Sequence, residues 1–167
     1  MKANKLNYEE QVLILGDGTM LKPGCYDECL NMIGRFNDCN IECNQKKDVS
    51  YVICPESLEG VTEEMFKDME NLQKVILSKD LKKIESYTFA YKKKLTNIQI
   101  PDGLEIIGIY SFANSGLKSI EIPSSVKVIE HGAFYSSDLE SFSMPKADDV
   151  VNIVLIVFLY CNALKSV

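Results

Sequence analysis

The strongest constraint on this chain is an internal repeat of 22 residues. Residues 95–116 align without a gap with residues 117–138, and both units begin with leucine. They share isoleucine at +3 and +5, proline at +6, an aliphatic residue at +9, isoleucine at +12 and phenylalanine at +17. In the first copy these positions are Leu95, Ile98, Ile100, Pro101, Leu104, Ile107 and Phe112. A unit this short cannot bury its own apolar residues, so the pattern predicts stacked units with one continuous core, along which the aromatic residues at +17 stack.

The same skeleton extends in both directions along the chain. The units begin at Val49, Leu72, Leu95, Leu117, Leu139 and Leu164, the last of them incomplete. The unit from Leu139 fits only if two residues are inserted, and it then places Val150, Ile153 and Phe158 inward. We therefore expect repeats over residues 49–167 and an N-terminal cap over residues 1–48. Val12 and Ile14 fit the +3 and +5 positions of a further unit. The cap could therefore contain one degenerate repeat.

The spacing within one repeat predicts its local structure. Apolar residues at +3 and +5 alternate with polar ones, which is the period of a short strand. Proline at +6 lacks a backbone donor and ends that strand. The segment from +9 to +17 is too short for a long helix and is expected to return the chain as irregular or 3₁₀ structure. The fold class that follows is an α/β or mainly β solenoid, a right-handed leucine-rich-repeat coil with a parallel sheet on one face.

One stretch of the sequence resembles a known family. GLKSIEIPSSVKVIEHGAFYSSDL is similar to LxxIxIPxxLxxIxxxAFxxCxx, the signature of BspA-like (Treponema pallidum-type) leucine-rich repeats. The cysteine of that signature is present as Cys161 after Phe158, whereas the middle repeats carry Lys92, Ser115 and Ser137. The resemblance implies a non-enzymatic binding protein, adhesin-like and typical of surface-associated organisms. It implies no catalytic residues and no cofactor.

The candidate binding face is formed by strand positions +2 and +4, which should point away from the core. These outer-row residues are Tyr51, Ile53, Lys74, Ile76, Asn97, Gln99, Ser119, Glu121, Ser141 and Ser143. Tyr51, Ile53 and Ile76 are the expected anchors, because exposed apolar residues with a polar rim mark protein contacts. The alternative is that the row is ordinary exposed strand surface. We expect a protein partner.

A cluster of four cysteines supports a second hypothesis. Cys25, Cys29, Cys39 and Cys43 are spaced as Cys-x3-Cys-x9-Cys-x3-Cys. They could be free thiols, two disulfides that close the cap, or a four-thiolate zinc site. The alternative function is therefore a metal- or redox-responsive module. Cys54 lies at an inward strand position and is expected to be a core residue.

Charge and composition exclude several other classes. Asp and Glu number 24 against 18 Lys and Arg, a net charge of -6, which argues against a nucleic-acid partner. One histidine, His131, cannot form a polyhistidine metal site, and we expect it on the surface. The basic run Lys92–Lys94 could contact an anionic partner, but on an acidic chain a solvated loop is the favoured interpretation.

The N-terminal sequence and the family resemblance give conflicting indications of where the protein is located. No apolar segment of secretory length is found near Met1, which favours the cytoplasm, whereas the family resemblance favours the cell surface. The apolar run 150–164 is shorter than the ~20 residues that span a bilayer, so we expect no membrane contact. A truncated last unit, self-association through the open C-terminal repeat and a marginal membrane anchor remain the alternatives for this run.

Overall fold

A computed structural model describes residues 12–15, 20–21, 47, 49–54, 58–144, 152–154 and 156–165 of the 167-residue chain. It contains eleven strands and one single-turn helix, α1. The strands are β1 (Val12–Leu15), β2 (Met20–Leu21), β3 (Val49–Ile53), β4 (Gly60–Val61), β5 (Lys74–Ile76), β6 (Lys83–Ile84), β7 (Ile106–Ile107), β8 (Ser119–Glu121), β9 (Val128–Ile129), β10 (Ser141–Ser143) and β11 (Asn152–Ile153). Helix α1 comprises Glu63–Phe66, between β4 and β5.

The first, second, fourth and fifth repeats form the predicted strand on the first face of the solenoid, which we call the first sheet, whereas the third repeat has only an isolated bridge at Asn97. Strand β3 pairs in parallel with β5, and β8 pairs in parallel with β10. In each of these strands the +3 residue is buried and the residues beside it are more exposed, because side chains alternate across a strand. The predicted period-two strand and the solenoid of parallel strands are therefore confirmed.

A second parallel sheet lies on the opposite edge of each repeat. Its order is β11-β9-β7-β6-β4, and each strand is two residues long. We expected irregular or 3₁₀ structure here, and for this segment the expectation was wrong. The reason is that each repeat satisfies its backbone groups on its neighbour: the N–H of Glu105 donates to the carbonyl of Lys82, and the N–H of Lys127 donates to that of Glu105.

A column of phenylalanine rings runs through the core. Ring centroids are separated by 4.7 Å from Phe66 to Phe89, 5.3 Å from Phe89 to Phe112, 5.4 Å from Phe112 to Phe134 and 5.7 Å from Phe134 to Phe158. The first four rings are fully buried. This is the predicted +17 stack, and it fixes the spacing of the repeats.

Residues in the left-handed backbone conformation lie where the chain returns from the second sheet to the first. Position +15 has positive φ in three successive repeats, at Tyr87, Tyr110 and Gly132. Position +19 repeats the feature, at Asp68, Tyr91, Asn114 and Ser136. Because tyrosine is strained in this region, two tight turns per repeat are imposed by the tertiary structure and not by residue preference.

The N-terminal strands form a hairpin that pairs with the first repeat. Strand β1 is antiparallel to β2 and also antiparallel to β3. A degenerate repeat would have placed β1 parallel to β3, so the observed direction does not fit that alternative. Pairing by β1 occupies the edge of β3, as a cap at this end must. The remainder of the predicted cap lies outside the described residues, and its boundary at residue 48 stays a prediction.

The last described coil is less covered than the others. Ile153, predicted to point inward, is 46% exposed. It pairs in register with the buried Ile129 and so faces the same side, but no described residue packs over it. Phe158 is partly buried against the core as predicted, and Val157 beside it is buried. Val150, the other predicted core residue here, lies outside the described residues.

Candidate binding surface

The outer-row residues lie on the outer face of the first sheet, where all of them except Asn97 and Gln99 belong to strands. Those of the second to fifth units are exposed, whereas Tyr51 and Ile53 are half-buried. The β3–β5 register places Tyr51 beside Lys74 and Ile53 beside Ile76. The predicted anchors are therefore neighbours on one surface, as the repeat spacing required.

Specific contacts shape the apolar end of this face. The Lys74 ammonium nitrogen lies 5.1 Å from the centroid of the Tyr51 ring, a cation–π contact. Strand β1 runs along the other side of β3. Ile76 lies on the last strand of this sheet and is 42% exposed. Of the three predicted anchors, Ile76 is therefore the one most available to a partner.

The first sheet is interrupted beside Ile76. Strand β5 is the edge of its sheet, and β8 and β10 form a separate pair. Between them, residues 98–100 are not in a strand, and Asn97 makes an isolated bridge to Ser119. A cleft of about 720 Å³ lies between the two segments. This inter-repeat cleft is lined by residues 73–77, 79 and 97–103.

A row of aromatic side chains, which was not predicted from the sequence, lies on the turn edge. Tyr110 stacks on Tyr87 with ring centroids 5.5 Å apart and contacts Tyr135 edge-on at 5.7 Å. Tyr135 in turn meets Tyr160 at 5.4 Å. Tyrosine at +15 in two successive repeats was the available signal. Position +15 is not among the shared positions of the repeat, so the sequence pattern assigned it no role.

His131 belongs to this aromatic row. Its Nε2 lies 3.1 Å from the Tyr110 hydroxyl, and its ring meets the Tyr110 ring edge-on at 5.4 Å. The side chain is half-buried. Its described contacts are those of a packed surface residue.

The basic run has local partners. The Lys94 ammonium donates to the Asn71 side-chain oxygen at 2.6 Å, and Lys93 lies 3.9 Å from an Asp138 carboxylate oxygen. The Lys94 contact links neighbouring repeats, and the Lys93 contact links repeats that are two units apart. They favour the solvated-loop interpretation over an anion-binding site.

The two described cysteines have structural surroundings. Cys54 is buried, and burial raises the pKa of its thiol to about 12. The thiol is therefore neutral at physiological pH and is a weak nucleophile. Cys161, the cysteine of the FxxC pattern, donates from Sγ to the Phe134 carbonyl at 2.9 Å.

The clustered cysteines Cys25, Cys29, Cys39 and Cys43 lie outside the described residues, so the metal or redox alternative stays a prediction. Among the residues that the structure does describe, no group of three or more potential ligands lies close enough to hold a metal ion.

Position +16 offers a test of how buried hydroxyls contribute to stability. The Thr88 hydroxyl donates to the carbonyls of Val61 and Glu85, at 3.1 and 2.8 Å. The equivalent Ser111 hydroxyl is buried and has no hydrogen-bond partner among the described residues. We expect Ser111→Ala to raise the free energy of unfolding by about 1 kcal/mol, because it removes an unsatisfied polar group.

Thr88→Val is the matched control at the same repeat position. It removes a satisfied hydroxyl, and we expect a loss of about 1 kcal/mol. Urea denaturation of both variants measures the two changes. A loss of stability in Ser111→Ala would contradict the prediction.

None of the described segments forms a helix with the length and hydropathy needed to cross a bilayer.

Comparisons with known proteins agree with the repeat geometry. The model for the BspA type leucine-rich repeat region matches residues 36–167 in six copies. That match begins before residue 49, the predicted start of the first repeat. No curated protein matches the chain.

A crystal structure of a leucine-rich repeat protein from Bacteroides ovatus has a similar fold, with a TM-score of 0.53 and 20% identity. The alignment covers 92% of this chain and 37% of the Bacteroides protein, so the present chain spans little more than a third of that relative. The family match over most of the chain, the parallel coils and the phenylalanine column lead to one conclusion: the chain belongs to the BspA-type leucine-rich repeat family.

Proposed function

We propose that this chain is a non-catalytic protein-interaction module whose partner binds the outer-row residues of the first sheet. The observation that carries the proposal is that the inward and outward residues of each strand differ in how much they vary between repeats. Residues at +3 are buried aliphatic or aromatic side chains in every described strand of this sheet, whereas residues at +2 and +4 differ between repeats. Burial in the core therefore constrains the inward residues, whereas the outer-row residues vary freely and determine which partner binds.

The outer row is chemically graded along the solenoid. Its N-terminal end carries Tyr51 and Ile76, and its C-terminal end carries Ser141 and Ser143. Aromatic and aliphatic residues contribute most binding energy when a partner excludes water from them, and surrounding polar residues form the rim. The partner is therefore expected to centre on the N-terminal half of the face.

Family membership supports this assignment. Leucine-rich repeat proteins of this kind commonly mediate protein interactions and generally are not enzymes. An adhesin-like role would place the partner on another cell, and a role inside the cell would place it in the organism's own extract. Both sources are therefore included in the experiment.

The test compares wild type with a triple variant, Tyr51→Ala/Ile53→Ser/Ile76→Ser. Partners are captured from own-cell and host-cell extracts, identified by mass spectrometry and titrated against each protein. We expect the triple variant to lose at least about tenfold in affinity, the equivalent of 1.4 kcal/mol.

A second variant controls for altered folding and for non-specific binding. Ser141→Ala/Ser143→Ala changes the same row at its other end and is expected to bind like wild type. Circular dichroism melting confirms that both variants remain folded. Equal affinity of wild type and the triple variant for every captured protein would refute the proposal.

A further inference from the structure

The inter-repeat cleft exposes main-chain groups on the side that belongs to β5. The N–H of Cys54 donates to the carbonyl of Ile76, so the backbone groups of Ile76 face β3. Backbone groups alternate in direction along a strand, and those of Val75 and Leu77 therefore face the cleft. Within residues 58–144, no backbone hydrogen bond joins β5 to residues 97–100.

The other wall of the cleft presents the complementary edge. The N–H of Lys118 donates to the carbonyl of Thr96, and Asn97 bridges to Ser119, which directs Thr96 and Ile98 towards β8. By the same alternation, the backbone groups of Asn97 and Gln99 face the cleft. Two strand edges of neighbouring repeats thus face each other without pairing.

The opening is confined to this face of the solenoid. On the opposite sheet, β6 and β7 of the same two repeats remain paired in register. In the core, the Phe89 and Phe112 rings of these repeats are 5.3 Å apart, close to the 5.4 Å between Phe112 and Phe134. The two coils are therefore stacked normally elsewhere, and the cleft is a local feature of the outer face.

We infer that the inter-repeat cleft binds an extended peptide segment of the partner, which adds to the sheet as a strand between β5 and residues 97–100. The inference rests on the proposed function, because the cleft opens on the same face. Unpaired backbone donors and acceptors at strand spacing are complementary to an extended polypeptide, and main-chain hydrogen bonds supply affinity in this mode of recognition. The cleft volume of about 720 Å³ also lies in the range of ligand sites.

The side chains around the cleft indicate which peptide fits. Lys74 and Ile76 lie two residues apart on the outer face of β5. Lys74 supplies a positive charge to the lining of the cleft. Cross-strand neighbours pair by charge and by apolar contact. The peptide is therefore one with an acidic residue opposite Lys74 and an aliphatic residue opposite Ile76, two positions apart.

The probe is a phage-displayed library of random dodecapeptides, selected on the full chain. The selected peptides are synthesised and titrated against two variants of one residue. Gln99→Pro removes a backbone N–H that makes no hydrogen bond among the described residues, so we expect the fold to be retained. Gln99→Ala removes the side chain and keeps that N–H.

We expect selected peptides with the acidic-x-aliphatic pattern to bind Gln99→Pro about tenfold more weakly than Gln99→Ala, because only Gln99→Ala keeps the backbone N–H. N-methylation of the central peptide residues is expected to cause a similar loss. Amide exchange at Val75, Leu77 and Gln99 of the wild type should slow when the peptide is bound. This readout does not depend on the folding of Gln99→Pro.

Three outcomes would overturn the inference: equal binding to Gln99→Pro and Gln99→Ala, no change in amide exchange at the cleft, or no peptide enriched by the full chain. These outcomes are separable from failure of the proposed function. A protein partner that is lost by the Tyr51/Ile53/Ile76 variant but retained by Gln99→Pro would support the binding face and reject strand addition.

Discussion

Phe112→Ala is expected to lower the free energy of unfolding by about 3–5 kcal/mol. The ring is fully buried, in the middle of the phenylalanine column, between Phe89 at 5.3 Å and Phe134 at 5.4 Å. Truncation leaves a cavity with rigid walls, because each neighbouring coil is held by hydrogen bonds on its own sheet and cannot collapse inward. The loss therefore includes both the transfer free energy of the ring and the cost of the cavity. Urea denaturation followed by circular dichroism measures it.

Phe158→Ala is the matched control for this prediction. Phe158 occupies the equivalent position in the last described coil but is partly buried. It keeps contacts with Phe134 at 5.7 Å and Phe142 at 4.8 Å. We expect a smaller loss at Phe158 than at Phe112, since less apolar surface is removed from the core. A loss at Phe112 no greater than the loss at Phe158 would contradict a continuous aromatic core.

Gly116→Ala is expected to cost about 3 kcal/mol for a different reason. A Cβ atom at Gly116 would lie 1.9 Å from the carbonyl oxygen of Lys93 in the preceding repeat. The contact is with backbone, and the Gly116 N–H also donates to the Lys92 carbonyl at 3.1 Å. Relief of the clash therefore requires the two coils to separate where they are hydrogen bonded. Thermal unfolding measures the change as a fall in Tm.

Gly60→Ala provides the control, because it is the same substitution in a place with space for it. The nearest atom to a Cβ at Gly60 is the Lys83 carbonyl oxygen at 3.8 Å, an ordinary van der Waals distance. We expect a change in stability within about 0.5 kcal/mol. Similar Tm values for the two variants would show that the coils are not closely spaced at Gly116.

Much of the fold follows from local sequence pattern. Ile98 and Ile100, or Ile120 and Ile122, alternate with polar residues and so identify the inward row. Phenylalanine at +17 identifies the aromatic column because the same residue returns at every turn of the coil. Periodicity is sufficient for these features, since burial of a repeating apolar row is the main favourable contribution to a solenoid.

Other features depend on contacts that the pattern does not encode. The two-residue strands of the second sheet form because neighbouring coils bring backbone groups within hydrogen-bonding distance, as at Lys83 and Ile106. The antiparallel β1–β3 pairing depends on how the chain before the first repeat folds back. Gly116 looks like an ordinary loop residue in sequence, and its importance comes from the Lys93 carbonyl of another repeat.

The outer-row residues can be predicted from the sequence, whereas the inter-repeat cleft cannot. The sequence by itself determined which residues occupy the outer face, because the two-residue period assigns Lys74, Ile76 and Gln99 to one side of the strands. Only the tertiary structure decided that β5 and residues 97–100 do not pair, since their repeats have the same apolar skeleton as the repeats that do. A repeat sequence specifies the burial of each coil. The distance between two coils at one edge depends on packing across the whole stack, and the sequence of a single repeat does not encode that packing.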